Sequence, residues 1–129
     1  MYSNKANINL LTAHLIAHDI RDIVVCPGSR NAPIVHNLYE AGSKFQLYPI
    51  TDERSAAFVA IGLWIKKKIP IAICVTSGSA LLNCLPGIAE AAFRHIPLVM
   101  ISADRPLSLQ GQLDGQTIPQ QGACTPYAR

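Results

Sequence analysis

The sequence predicts an α/β fold, an open parallel sheet with helices on both faces. Three observations carry that prediction. Short β-branched runs alternate with longer runs of helical spacing in the order α-β-α-β-α-β-α-β, and such alternation builds a parallel sheet through right-handed crossovers. Ile71 to Thr76 is an unbroken strand-like run, the kind found where a parallel strand is covered on both faces. The chain of 129 residues is half hydrophobic and only 15% charged. That balance and length suit one packed domain rather than a disordered chain.

The elements follow in order. Leu10, Leu11, His14, Leu15 and Ile16 share helical spacing and predict a first helix over residues 8–18. Asp22 to Cys26 is a β-branched strand closed by Pro27-Gly28. Ala32 to Glu40 reads as a helix, with Pro33 tolerated in its first turn and Gly42 just past its end. Phe45 to Thr51 is strand two, and Glu53 to about Lys67 is helix three. Pro70 opens strand three, and Ser77-Gly78-Ser79 turns into a fourth helix reaching about His95. Pro86 is expected to kink or divide that helix. Leu98 to Ala103 is strand four, after which residues 107–129 are rich in Gln, Gly and Pro and lack a period.

Composition narrows the function. The net charge is +3 and the basic residues are scattered, apart from Lys66-Lys67-Lys68. No nucleic-acid surface is indicated, and the lysine triplet reads as a solvated helix end. No apolar run approaches the ~18–20 residues of a spanning helix, and Met1 to Asn9 carries no signal-peptide pattern. A cytoplasmic protein without a membrane span is expected. Cys26, Cys74, Cys84 and Cys124 form no CxxC pair, Cys26 and Cys74 lie in strand-like runs, and all four read as buried reduced thiols.

Each strand ends in an unusual loop. Pro27-Gly28-Ser29-Arg30 follows strand one, and Asp52-Glu53-Arg54 follows strand two. Thr76-Ser77-Gly78-Ser79 follows strand three, and Asp104-Arg105-Pro106 follows strand four. In a parallel sheet all four fall on one edge, the edge where open α/β sheets bind ligands. Asp52 reads as an N-cap with Glu53 in the first helical turn. A capping role alone accounts for both acids; the convergence of the loops points instead to a pocket for a small, multiply anionic molecule, since arginine captures carboxylates and phosphates bidentately. There is no G-x-G-x-x-G, no G-x-x-x-x-G-K-[ST] and no G-x-S-x-G. His14 and His18 lie four apart on one helix, with no further ligand at metal spacing. His36 and His95 read as helix-surface or core residues.

Pro-Gly-Ser-Arg-Asn-Ala-Pro at 27–33, Asp-Glu-Arg-Ser-Ala-Ala-Phe at 52–58, Thr-Ser-Gly-Ser-Ala at 76–80 and Ala-Asp-Arg-Pro at 103–106 jointly resemble one family. It is the thiamine-diphosphate-dependent 2-succinyl-5-enolpyruvyl-6-hydroxy-3-cyclohexene-1-carboxylate synthases of menaquinone biosynthesis. The resemblance continues through Gly115-Gln116-Thr117-Ile118, with Gly115 where related sequences often carry Asn. It implies that residues 1–129 are the pyrimidine-binding domain, without the middle and diphosphate-binding domains, and that this piece alone is inactive. Asp114-Gly115 is preceded by Leu113 and so is not the Gly-Asp-Gly of the missing domain. The resemblance makes Glu53 the catalytic residue, bonded to N1′ of the cofactor's aminopyrimidine. It adds Pro27, Gly28, Ser77 and Gly78 as cofactor contacts, and Ser29, Arg30, Arg105 and Gln116 as substrate contacts. It implies thiamine diphosphate with Mg2+ or Mn2+ held by the absent C-terminal domain. The implied substrates are 2-oxoglutarate and isochorismate, and the implied assembly is a homodimer or homotetramer of the full-length protein. The alternative is a stand-alone α/β module that binds a small anionic ligand or nucleotide without catalysis.

Overall fold

The computed structural model describes residues 3–112 and 115–128. Its elements are α1 (Ala6–Ala17), β1 (Asp22–Val25), α2 (Ala32–Glu40), β2 (Gln46–Pro49), α3 (Glu53–Lys67), β3 (Ile71–Val75), α4 (Ser79–Phe93) and β4 (Leu98–Ser102). Short 3-10 turns lie at Gly42–Lys44 and Leu107–Leu109. The strands form one all-parallel sheet in the order β2-β1-β3-β4.

Side-chain alternation sorts the core into two layers. Ile23, Val25, Ala72 and Cys74 face one way, with Leu15, Leu38, Ala41 and Phe45 packed over them. Val24, Cys26, Ile71, Ile73 and Val75 face the other way, under Ala56, Ala57, Ala60, Ala80, Cys84 and Ile88. Thus α1 and α2 cover one face and α3 and α4 the other. The direction of travel explains this. The crossover from β1 to β2 runs outward in one direction. Those from β2 to β3 and from β3 to β4 run in the opposite direction, and right-handed crossovers of opposite sense cover opposite faces.

Helix ends show why the chain turns where it does. Gly42 takes φ +61 just past α2, the left-handed conformation that a helix stop favours. The other stops use no glycine. Asp19, Lys68 and His95 adopt φ 55, 58 and 54. After Asp19 and His95 the next amide reaches back five positions in the manner of a Schellman stop, Ile20 N–H to Leu15 O at 2.9 Å and Ile96 N–H to Ala91 O at 2.8 Å.

Three expectations need adjustment. Strand two is shorter than residues 45–51, running Gln46–Pro49. Pro49 lacks an amide hydrogen and is accommodated because β2 is an edge strand. Helix four is not divided: Ser79–Phe93 is one helix with Pro86 inside it. Pro86 and Leu82, whose carbonyl loses its partner, are both exposed, so water can satisfy that group. The lysine triplet is not wholly a solvated end. Lys67 donates to the buried carboxylate of Asp22 and, at 2.8 Å, to Tyr48 Oη, while Tyr48 donates to Asp22 at 2.6 Å. Lys68 Nζ lies 4.1 Å from the centre of the Trp64 ring. Cys26, Cys74 and Cys84 are buried and Cys124 is half-buried, all unpaired. Leu113 and Asp114, which bear on the excluded Gly-Asp-Gly motif, lie outside the described residues. Among the described residues no helix is long and apolar enough to cross a membrane.

Candidate functional site

The strand order reverses at β1, whose neighbours β2 and β3 are reached in opposite directions. Loops leaving β1 and β3 therefore part company, and ligands of open α/β sheets bind outside the carboxyl ends of strands at such a point. All four predicted loops lie on that edge, as parallel pairing requires.

The loop after β1 is locked from beneath. Asn31 is fully buried and donates through Nδ2 to Cys26 O at 2.9 Å, closing residues 27–30 into a tight bend. A Cβ at Gly28 would overlap the Cβ of Thr76 and stand 2.8 Å from Asn31 Oδ1. Only a glycine lets the loop approach β3 this closely. Pro27, Ser29 and Arg30 are left exposed on the rim. Beside them a groove of about 520 Å³ opens between α2 and the end of β2, walled by Pro27, Gly28, Tyr39, Ile50 and Thr51.

Asp52 caps α3, its Oδ2 accepting from Ser55 N–H at 2.7 Å. Hydrogen bonding from the Ser55 side chain and then from its amide holds the carboxyl below the usual carboxylate range. Glu53, the first residue of α3, is half-buried beside α4. Its Oε2 accepts from Asn83 Nδ2 at 3.4 Å, and its main-chain carbonyl accepts from Cys84 Sγ at 3.5 Å. Behind it lie Cys26 and Cys84. Burial pushes each thiol up to about 12, and the Glu53 charge adds to the effect in both. These sulfurs therefore stay protonated and form an apolar floor under the carboxylate.

The far half of the edge is covered by residues 115–120. Ser77 is buried and donates through Oγ to Gln116 O at 3.2 Å. Gly78 adopts φ 73, and a Cβ there would run into the Gln116 carbonyl. Gln120 Oε1 accepts from Gly78 N–H at 2.6 Å, and its Nε2 donates to Ser102 Oγ and Ala103 O, both at 3.0 Å. Arg105 donates to Gly115 O at 2.8 Å. Gln116 itself is exposed at φ 56.

The predicted residues thus fall into three groups on one edge. Pro27, Gly28, Ser29 and Arg30 share the β1 loop. Ser77, Gly78, Arg105 and Gln116 are joined by the 115–120 segment. Glu53 stands apart with α4, and no ion pair joins it to Arg30. Sequence reasoning missed Asn83, because nothing in α4's spacing shows that it meets α3. It also missed Gln120, which sits in a tail without a period. Asn31 was visible inside the 27–33 motif but carried no signal of its buried bond. Among the described residues no group of three or more His, Cys, Asp and Glu is placed to hold a metal ion. His14 and His18 are exposed, their rings stacked 6.3 Å apart.

Residues 8–123 match the family described as thiamine pyrophosphate enzyme, N-terminal TPP binding domain. The chain is 58% identical over 120 residues to the 2-succinyl-5-enolpyruvyl-6-hydroxy-3-cyclohexene-1-carboxylate synthase of Phocaeicola vulgatus, covering 93% of this chain and 21% of that protein. It is 50% identical over 116 residues to the synthase of the same name from Desulfotalea psychrophila, covering 90% of this chain and 21% of the relative. Against the Corynebacterium diphtheriae protein of that name it is 46% identical over 110 residues, with 85% and 21% covered. The chain spans about a fifth of the length of these curated relatives. A four-stranded parallel sheet that sets a glutamate at a helix start on the same edge as a glycine-pinned loop is what that match covers, and the chain belongs to the N-terminal TPP binding domain family of thiamine pyrophosphate enzymes.

Proposed function

We propose that residues 1–129 are the pyrimidine-binding domain of a thiamine-diphosphate-dependent synthase in menaquinone biosynthesis. The full-length protein decarboxylates 2-oxoglutarate and adds the resulting four-carbon unit to isochorismate. The names of the relatives support the reaction. The observation that carries the reading is Glu53. Its carboxylate sits at a helix start over an apolar floor of Cys26 and Cys84, with Oε2 engaged by Asn83 and no described residue donating to Oε1. A ring nitrogen needs such an acceptor, half-withdrawn from water and with one oxygen unclaimed, so the residues present fit the aminopyrimidine.

When bound, thiamine diphosphate supplies the nucleophilic carbon that attacks the 2-oxo acid. The protein's part is to hold and orient. Glu53 holds the proton shared with N1′, and the buried thiols beneath keep water from that side. Pro27, Gly28, Ser77 and Gly78 would contact the cofactor. Ser29, Arg30, Arg105 and Gln116 receive the substrate carboxylates, for which guanidinium is the best-shaped donor. Mg2+ or Mn2+ and the diphosphate belong to the C-terminal domain of the longer protein. Phe58, Ile65, Leu82 and Phe93 are 40–78% exposed on α3 and α4, an apolar surface that a second domain in a homodimer or homotetramer would cover. A cytoplasmic location completes the proposal, and residues 1–129 alone are expected to show no turnover.

The test is Glu53→Gln in the full-length protein. Turnover should fall about a hundredfold or more, the range of lost acid–base participation, while calorimetry still shows cofactor binding. Normal exchange of the cofactor C2 proton in that variant would overturn the role given to Glu53.

A further inference from the structure

α3 and α4 pack directly against each other, and their contact runs as a row. Gly87 lies so near α3 that a Cβ there would stand 2.5 Å from the Cβ of Ala57. One turn toward the helix starts, Cys84 Sγ meets the Glu53 carbonyl and Asn83 Nδ2 meets Glu53 Oε2. One turn the other way, Ile61 and Ala91 pack together. The small pair Ala57–Gly87 sets the spacing, and that spacing brings the Asn83 amide within reach of the carboxylate.

We propose that Asn83 is a positioning residue for the Glu53 carboxylate. This rests on the reading of Glu53 given above and goes one residue beyond it. A glutamate side chain has three rotatable bonds, and a half-buried one is otherwise held only by its stem. An amide donor on Oε2 selects the rotamer and leaves Oε1 as the oxygen presented to a ligand nitrogen. Asn83 is suited to this because its neutral amide donates without contributing charge. It is exposed and joins no other described side chain.

The test uses the full-length protein carrying Asn83→Ala, Asn83→Gln, Asn83→Asp and, as a control two turns further along α4, Glu90→Ala, a residue that is exposed. Because Asn83 is exposed, each variant should melt within about 2–4 °C of the parent without cofactor. Cofactor should still bind by calorimetry. The C2 proton exchange of bound cofactor should slow about tenfold or more in Asn83→Ala, as misplaced catalytic groups do. The order of the variants separates positioning from packing. Asn83→Gln keeps a donor and should recover part of the rate. Asn83→Asp keeps the shape but sets a second carboxylate against the first, and should be slowest. A packing role would rank Asp beside Asn. In the cofactor-free protein, the carboxyl carbon-13 signal of Glu53 should move in Asn83→Ala and stay in Glu90→Ala. An Asn83→Asp variant exchanging at the parental rate, or an unmoved Glu53 signal in Asn83→Ala, would overturn the proposal. If Glu53→Gln also exchanges normally, the function assigned to Glu53 fails. If only Glu53→Gln loses exchange, the positioning role of Asn83 alone fails.

Discussion

The thiols behind Glu53 show how one charge and one burial decide reactivity. Cys26 and Cys84 are held up to about 12, and Cys74 up to about 11, chiefly because burial disfavours the thiolate. A folded pKa above the unfolded value of 9.0 means that this contribution to stability is complete below pH 9 and fades as pH climbs toward 11–12. At pH 8 a thiol reagent should therefore label Cys124 first, with the other three reacting only when denaturant unfolds the chain. Mass spectrometry of the labelled peptides checks this, and rapid labelling of Cys26 in the native protein would contradict it. Burial of Cys26 and Cys74 was legible from their place in strand-like runs, whereas Cys124, expected buried, is only half-buried. Their role as the floor of a site was not, because Cys84 reaches Cys26 only through the packing of α4 on the sheet.

Among the elements, the helix stops and the foot of α3 carry the surprises. Gly42 was legible as a stop because glycine is cheap in the left-handed region. Asp19, Lys68 and His95 were not, since nothing local marks a residue that bears the strain for the sake of the next strand. His95 is exposed, and a non-glycine residue in this conformation costs about 1 kcal/mol. His95→Gly should raise stability by about 0.5–1 kcal/mol in urea unfolding, through relief of that strain. At the foot of α3 the Lys67–Asp22–Tyr48 cluster joins a helix end to the first residues of β1 and the middle of β2. Lys67→Met leaves Asp22, only 7% exposed, without its cation, and should cost about 2–4 kcal/mol in the same assay. Its hydrogen bonds to Asp22 and then to Tyr48 raise the Lys67 pKa above 10.5. The link is thus whole at neutral pH and is lost as pH rises past that value. Three adjacent lysines looked like one solvated patch because their sequence is uniform; the helix end and the left-handed turn at Lys68 give Lys67 and Lys68 different neighbours.

At the scale of the molecule, parallel pairing and helices on both faces were legible from the alternation of elements, and the shared edge of the loops followed from it. The strand order β2-β1-β3-β4 was not, because alternation is the same whichever way each crossover turns. Nor was the cover formed by residues 115–120 over Ser77 and Gly78, since it depends on side-chain bonds from a segment without a period. The reversal at β1 has a consequence for how such a domain can change over time. The half-core under α1 and α2 supports the loop bearing Ser29 and Arg30, while the half-core under α3 and α4 supports Glu53. The sheet is their common wall. The loop bearing Ser29 and Arg30 and the helix start bearing Glu53 therefore rest on separate layers, so drift in one layer can shift its own part of the edge while the other keeps its place.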